Sequence, residues 1–403
     1  MSFPACKHRR TKPVVPPVPG ALTWLAAEPF RLFFFSGALW SIIGVSLWPL
    51  FYAGQLGFYP GITHARIMIE AFGAAFVVGF LGTAGPRMAT APRLTAVELL
   101  LLFVLHATNG VLHLKLQIRA ADACFLSLLV ILLLCLVIRV VKFRQEAPPP
   151  QLILALTGLL CGIAGTTMWL NPDWTATPER YRLAGLLVYQ GLLLPPVLGI
   201  GSFLFPRILG GSFGETSTPS ALRDKLFCTL AAAGLIIGSF FLETAGEPIP
   251  AYLLRAGTAA AYLLTGVRWR RRAGDPPGGT LAKGLPWALL TGLLGLAAAG
   301  FAYDRRVGLE HLLYIGCFGL LILVVGSRVL FGHSGNPAGF EQRSWVARLL
   351  IAGALVAATT RAVAEMVPRI MISHHQYAAW FWGLTVLLWL VWHRRRFLNR
   401  DPE

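Results

Sequence analysis

The sequence predicts an all-α, polytopic membrane protein of about twelve transmembrane helices, and three observations carry that expectation. Apolar residues make up 56% of the 403 residues and charged residues only 13%, against roughly a quarter charged in an ordinary soluble domain. Twelve apolar runs of about 20 residues recur along the chain, each long enough to cross a roughly 30 Å hydrocarbon core as a helix. The cations between those runs alternate in density from one connection to the next. No connection is long enough for a soluble domain. Soluble enzyme, disordered protein and disulfide scaffold are therefore excluded as classes.

Residues 1–30 form a basic arm with Pro13, Pro16, Pro17 and Pro19. They lack the apolar core and cleavage site of a signal peptide, so a disordered cytoplasmic segment is expected. The transmembrane domain spans 31–393, and 394–403 is a short tail. The first run covers 31–53 and the second 66–85, with His64 at its opening. Arg66 and Glu70, four residues apart, are set to pair along the second helix. The third run, 94–113, carries His106 and His113 on one face, with Thr108 and Asn109 available for bonds between helices. The fourth, 121–141, is stopped by Pro148, Pro149 and Pro150. That triple proline marks a 4 + 8 division, and no internal repeat stands out.

The fifth run covers 151–171 and the sixth 183–206. Pro195–Pro196 should kink or break the sixth, and a membrane tolerates a break only where protein or a water-filled cavity satisfies the freed carbonyls. After a long loop at 207–225 come the seventh run (226–246) and the eighth (250–267). A second long loop, 268–285, leads to the ninth (286–303) and tenth (309–330). His311 lies at the start of the tenth, Arg328 near its end and His333 just beyond. The eleventh run, 346–366, holds Arg361 and Glu365 at the same four-residue spacing. The twelfth, 376–393, follows His374 and His375 in the last loop.

The formal charge of +17 is explained by where the cations sit. Twenty-five of the 35 Lys and Arg lie in the even-numbered connections and the termini, and the acidic residues divide evenly. One side nets +16 and the other +1. This is the positive-inside pattern, which places both termini in the cytoplasm. The basicity reads as topology and contact with an anionic lipid bilayer, and no nucleic-acid partner is expected. The six cysteines are scattered without a C-x-x-C pair, and the five in helices read as buried free thiols.

Ionisable groups are costly in hydrocarbon, so the histidines are the informative positions. His64, His106, His113 and His311 fall toward the outer side, and His374 and His375 lie beyond it. His333 is 22 residues from His311, about 33 Å along a helix, so those two cannot share one metal. Neutral imidazole needs its second ring nitrogen held by a carboxylate or carbonyl, and Glu310 and Glu70 are near enough in sequence to serve. His64, His106, His113, His311 and His333 are thus the candidate metal ligands. The bland alternative is a set of interfacial or hydrogen-bonded histidines.

Several segments are similar to those of the NnrS family of bacterial membrane proteins. PFRLFF, from Pro29, resembles the family's P-F-R-x-F-F. HARIM, from His64, stands where the family has H-A-H-E-M, followed by GFLGTA from Gly79. PPVLGIGSFLFPRILG, from Pro195, is similar to the P-x-x-x-G-x-R-x-x-P segment. HLLYIGCFG from His311 and RVLFGHSG from Arg328 match the tenth-helix motifs. The resemblance implies a bacterial cytoplasmic (inner) membrane protein that binds haem b, with copper as a further candidate, in the response to nitric oxide and nitrosative stress. It also implies His64, His311 and Arg328 as cofactor-binding residues, with His333 in the matched set. The chain departs from the family motif at Arg66 (histidine in the family), Ile67 (glutamate) and Met88-Ala89-Thr90 (W-T-G). One ligand and one carboxylate are thus replaced, which implies fewer metals, the recruitment of His106 or His113, or loss of the chemistry altogether.

A nitric oxide-handling oxidoreductase of this kind would need a membrane or quinol electron donor, with nitric oxide as ligand. Outer histidines on a second and a tenth helix are also similar to the haem–copper oxidase arrangement, a likeness of layout alone. Two rival readings fit the same helices: a secondary transporter of a small solute, and a haem or copper assembly factor without turnover.

Overall fold

A computed structural model describes residues 20–209, 218–266 and 279–400. The expected arm lies outside the described residues up to residue 19. Its last part is helical, Ala21–Ala27 forming two turns that pack on the third long helix. No strand occurs among the described residues.

The long helices are α1 (Phe30–Tyr52), α2 (Gly61–Met88), α3 (Ala96–Leu114), α4 (Ile118–Lys142), α5 (Leu152–Leu170) and α6 (Pro178–Ile208). They continue with α7 (Pro219–Thr244), α8 (Pro248–Gly266), α9 (Leu281–Phe301), α10 (Tyr303–Gly332), α11 (Trp345–Met366) and α12 (Met371–His393). Ten of these are long and apolar enough to cross a membrane. The other two are α8, which carries Arg255, and α12, which opens with His374 and His375; α8 lies against α7 and α12 against α11. The chain is an all-helical, multi-pass membrane protein.

Local signals explain the starts. Thr95 and Glu98 form a reciprocal capping box at α3, satisfying two of the amides that a helix leaves unpaired. Ser344 caps α11, and Thr177 followed by Pro178 opens α6. Several helices begin earlier than the apolar runs suggest: α2 at Gly61, α6 at Pro178 and α12 at Met371. Their first two turns carry His64, Arg182 and His375, whose polarity hides the helix from a hydropathy reading.

The expected 4 + 8 division is replaced by three units of four helices. Within α1–α4, the second helix packs on the other three; α6 does the same within α5–α8, and α10 within α9–α12. Neighbouring units join through α4 with α5, α8 with α9, and α12 back to α1, which closes a ring. The central helices α2, α6 and α10 are the three most buried of the ten spans. Each contains a π-helical segment: Ile67–Gly73, Leu187–Gly191 and Leu312–Gly319. The sixth run does break as expected, the helix resuming at Leu194 with Pro195 in its first turn.

The repeat extends to the turns. Leu116 and Gly246 occupy the same place in the connections after α3 and α7. Both have left-handed backbone, φ 59° and 94°, and both turns close on the same pattern of carbonyls.

Candidate functional site

Three polar clusters lie at one end of the bundle, one per unit, and they are built from equivalent positions. Asp122, Tyr252 and His375 are each the fifth residue of the fourth helix in a unit. His113, Glu243 and Glu365 are each the next-to-last residue of the third helix. One turn earlier come Asn109, Ser239 and Arg361. An aromatic residue from the following unit closes each cluster: Trp169, Tyr303 and Tyr52.

In the first cluster, Arg66 pairs with Glu70 at 2.8 Å and Asp122 at 2.9 Å. Its guanidinium sits 3.2 Å from the Trp169 ring centroid. Glu70 also accepts from Asn109 at 2.9 Å and meets His113 Nε2 at 2.9 Å. Glu70, His113 and Asp122 offer ligand atoms all within 4.8 Å of one another, the one such group among the described residues. A cation already occupies that neighbourhood, namely the guanidinium of Arg66. Arg66, which stands where the resemblance expects a histidine, is an ion-pair partner here.

The second cluster is balanced by two arginines and two glutamates. Glu243 pairs with Arg182 and Arg255, both at 2.8 Å, and accepts from Tyr303 at 3.2 Å. Glu310 pairs with Arg182 at 2.7 Å and accepts from Gln190 and Tyr252. Gln190 in turn accepts from Arg255 at 2.7 Å. Every charge has a partner, so the cluster is structural, and Glu310 is committed to it. The expectation that Glu310 would orient His311 and Glu70 would orient His64 is corrected here: Glu70 holds His113 instead, Glu310 faces Arg182, and backbone carbonyls hold His64 and His311.

The third cluster differs in kind. His64 Nδ1 lies 2.9 Å from the Gly44 carbonyl, and His311 Nδ1 lies 2.6 Å from the Val307 carbonyl. A carbonyl only accepts, so each Nδ1 carries the hydrogen and each Nε2 keeps its lone pair. His375 Nδ1 meets the Tyr52 hydroxyl at 2.8 Å, and its Nε2 is buried without a partner. Among the described residues no hydrogen bond is made by the Nε2 of His64 or His311. The three rings are neighbours: Trp48 lies 6.0 Å from His64 and 5.2 Å from His375, and His311 is within electrostatic range of both. Arg361 borders the group while paired to Glu365 at 3.0 Å. The three imidazoles do not close round a single ion, since no such set lies within 4.8 Å. The donor chemistry, neutral imidazoles with anchored Nδ1 and free Nε2, does suit haem or copper.

The remaining sequence candidates lie elsewhere. His106 is buried in α3 with Nε2 3.0 Å from Ser36 and its ring against Phe33. It does not share a site with His113, although both lie on one helix. His333 and Arg328 are at the opposite end of the bundle. There Glu28 meets His333 Nδ1 at 2.6 Å, and Arg87 reaches His333 Nε2 at 3.2 Å, so both ring nitrogens are taken. Arg31 ties Glu28 at 2.5 Å to the His333 and Arg396 carbonyls. Arg328 lies 5.5 Å from the Phe340 ring centroid. Of the five described cysteines, Cys135, Cys161 and Cys317 are buried, whereas Cys124 is half-buried and Cys228 exposed. The expectation of five buried thiols is corrected for those two.

His375 is the residue that sequence reasoning passed over, because Pro368 and the polar stretch after it read as a loop. It lies in the second turn of α12. A histidine pair beside an apolar run was the available signal.

Residues 24–400 match the family model described as NnrS protein. No curated protein matches the chain.

Proposed function

The chain belongs to the NnrS family, and from that premise we propose that it holds haem through outer-side histidines and handles nitric oxide in a nitrosative-stress response. The proposal includes twelve membrane crossings of the bacterial cytoplasmic membrane, with both termini in the cytoplasm, on the +16 to +1 division of charge. The observation that carries the reading is the third cluster, where His64, His311 and His375 present nitrogens that the protein itself does not use.

His64 and His311 are the proposed haem ligands, and His375 joins them as a third donor for haem or copper. Haem iron with histidine ligation supplies a coordination site for nitric oxide. The chain's own contribution is orientation. Gly44 and Val307 fix the tautomer of two imidazoles, and Tyr52 holds the third. The π segments that follow His64 and His311 widen the helix just below each ring, a distortion common at functional sites. The Arg361–Glu365 pair places a guanidinium beside the cluster, suited to an anionic substituent of a bound cofactor. Arg328 and His333 fall outside this site and are proposed to act in closing the opposite end. Reductive turnover of nitric oxide needs electrons, for which a membrane donor such as a quinol is the proposed partner.

The test is an absorption spectrum with metal analysis of protein purified from haem- and copper-replete cells, with and without dithionite and nitric oxide. A Soret band that shifts on adding nitric oxide is expected. His64→Ala, His311→Ala and His375→Ala should each disturb it, whereas His8→Ala should not. A colourless, metal-free preparation refutes the proposal, and three unchanged spectra refute the ligand assignment.

A further inference from the structure

Where the three π segments end, the central helices line an apolar pocket of about 90 Å³. Phe76 and Val77 of α2, Pro196 and Val197 of α6, and Phe318 and Ile322 of α10 form its walls, and every lining residue is apolar or glycine. A π turn carries more residues than an α turn, so three helices that each hold one cannot keep their side chains in register across the join. The break before Pro195 adds to the mismatch. The void is a consequence of the same distortions that follow His64 and His311.

Its position and its chemistry bear on function. Gly73 lies nine residues beyond His64, and Phe318 lies seven beyond His311. At the helical rise this places the cavity about 10–14 Å below the rings. No side-chain donor or acceptor faces it, so a polar solute or an ion would lose its hydration without compensation. Apolar cavities of this order stay dry and take up apolar atoms such as xenon. At roughly 30 Å³ per water-sized molecule the space holds about three. It has room for a diatomic.

We propose that this cavity is a binding site for a small, uncharged, apolar gas, held about two helical turns beneath the histidine cluster. Naming the gas as nitric oxide rests on the functional reading above; the affinity for apolar gas does not. A gas that partitions into the bilayer would be concentrated next to the histidines, because the cavity offers it the dispersion contacts that water lacks.

Xenon is the probe. Crystals of the purified protein pressurised with xenon should show one site between Val77, Val197 and Ile322. Val197→Phe and, from a different helix, Ile322→Phe should each fill the space and abolish the xenon peak while leaving the absorption spectrum unchanged. In haem-loaded protein, both should slow nitric oxide rebinding after flash photolysis by several-fold. No xenon at this position in the wild type, or a peak that survives both filling variants, overturns the site. Loss of xenon with an unaltered rebinding rate overturns its link to the histidines. Colourless protein that still binds xenon would sink the haem reading and leave the gas site standing.

Discussion

Removing one charge from the second cluster should cost far more than removing its counterpart from the third. Glu243 and Glu365 occupy the same position in α7 and α11, yet Glu243 is fully buried while the Glu365 side chain is 27% exposed. Glu243→Gln keeps the shape and deletes the charge that faces Arg182 and Arg255. Arg182 retains Glu310 at 2.7 Å. Arg255, with no exposed surface, has no other carboxylate partner among the described residues, since its remaining bonds go to Ser239 and Gln190. One uncompensated buried charge destabilises by about 3–5 kcal/mol. Glu365→Gln breaks a single pair at the rim, and solvent screening holds that cost to about 1 kcal/mol or less. Unfolding by denaturing detergent, followed by tryptophan fluorescence, measures both. The double change Glu243→Gln with Arg255→Met removes both partners and should recover part of the loss. If Glu243→Gln costs no more than Glu365→Gln, the assignment of the second cluster as the charge-locked one is wrong.

Two further outcomes concern the ends of the bundle. Burial pushes the Glu28 carboxyl up, but hydrogen bonds from His333 and Arg31 and the charge of Arg31 outweigh it, leaving the group below its ordinary 4.5. A depressed carboxyl stabilises above that ordinary value and loses its contribution as pH falls through the lowered one. The stability gap between wild type and Glu28→Gln should therefore hold near pH 7 and shrink below about pH 4.5; a gap that does not change with pH rejects the role. Leu116 adopts left-handed backbone where the equivalent residue is Gly246, and its side chain is about half exposed. Leu116→Gly should stabilise by about 0.5–1 kcal/mol, read as a raised unfolding midpoint.

The class of fold was legible because hydrocarbon imposes length and polarity on every crossing, and the alternation of cations could be followed from loop to loop. The threefold repeat was not. Its units share positions, such as Asp122, Tyr252 and His375, whose side chains have diverged in chemistry, and among the cluster positions on the third and fourth helices only Glu243 and Glu365 repeat as a letter. The paired spacing of Arg66 with Glu70 and of Arg361 with Glu365 did carry through, since four residues bring side chains together on any helix. What those pairs face was beyond reach, because Asp122, Trp169 and His375 come from helices distant in sequence. The π segments have no compositional mark. They became visible only as geometry, and they are what separates His64 and His311 from other helical histidines.

Comparing the three clusters says why the third is the chemically open one. All three draw on a central helix, its two followers and an aromatic from the next unit. The first is filled by the guanidinium of Arg66, with His113 Nε2 spent on Glu70, and the second by two arginines facing two glutamates. In the third, Arg361 is turned to Glu365, and the equivalent interior positions hold imidazoles whose anchoring bonds go to backbone and a hydroxyl. That leaves three Nε2 atoms without a hydrogen bond among the described residues, and the one on His375 is fully buried, a costly condition in a low-dielectric interior. The third cluster is also the one that joins the chain's ends, taking Tyr52 and His64 from the first unit and His311 and His375 from the last. Its donors come together only when α12 closes against α1. The ring that builds the bundle is thereby the same event that assembles the site.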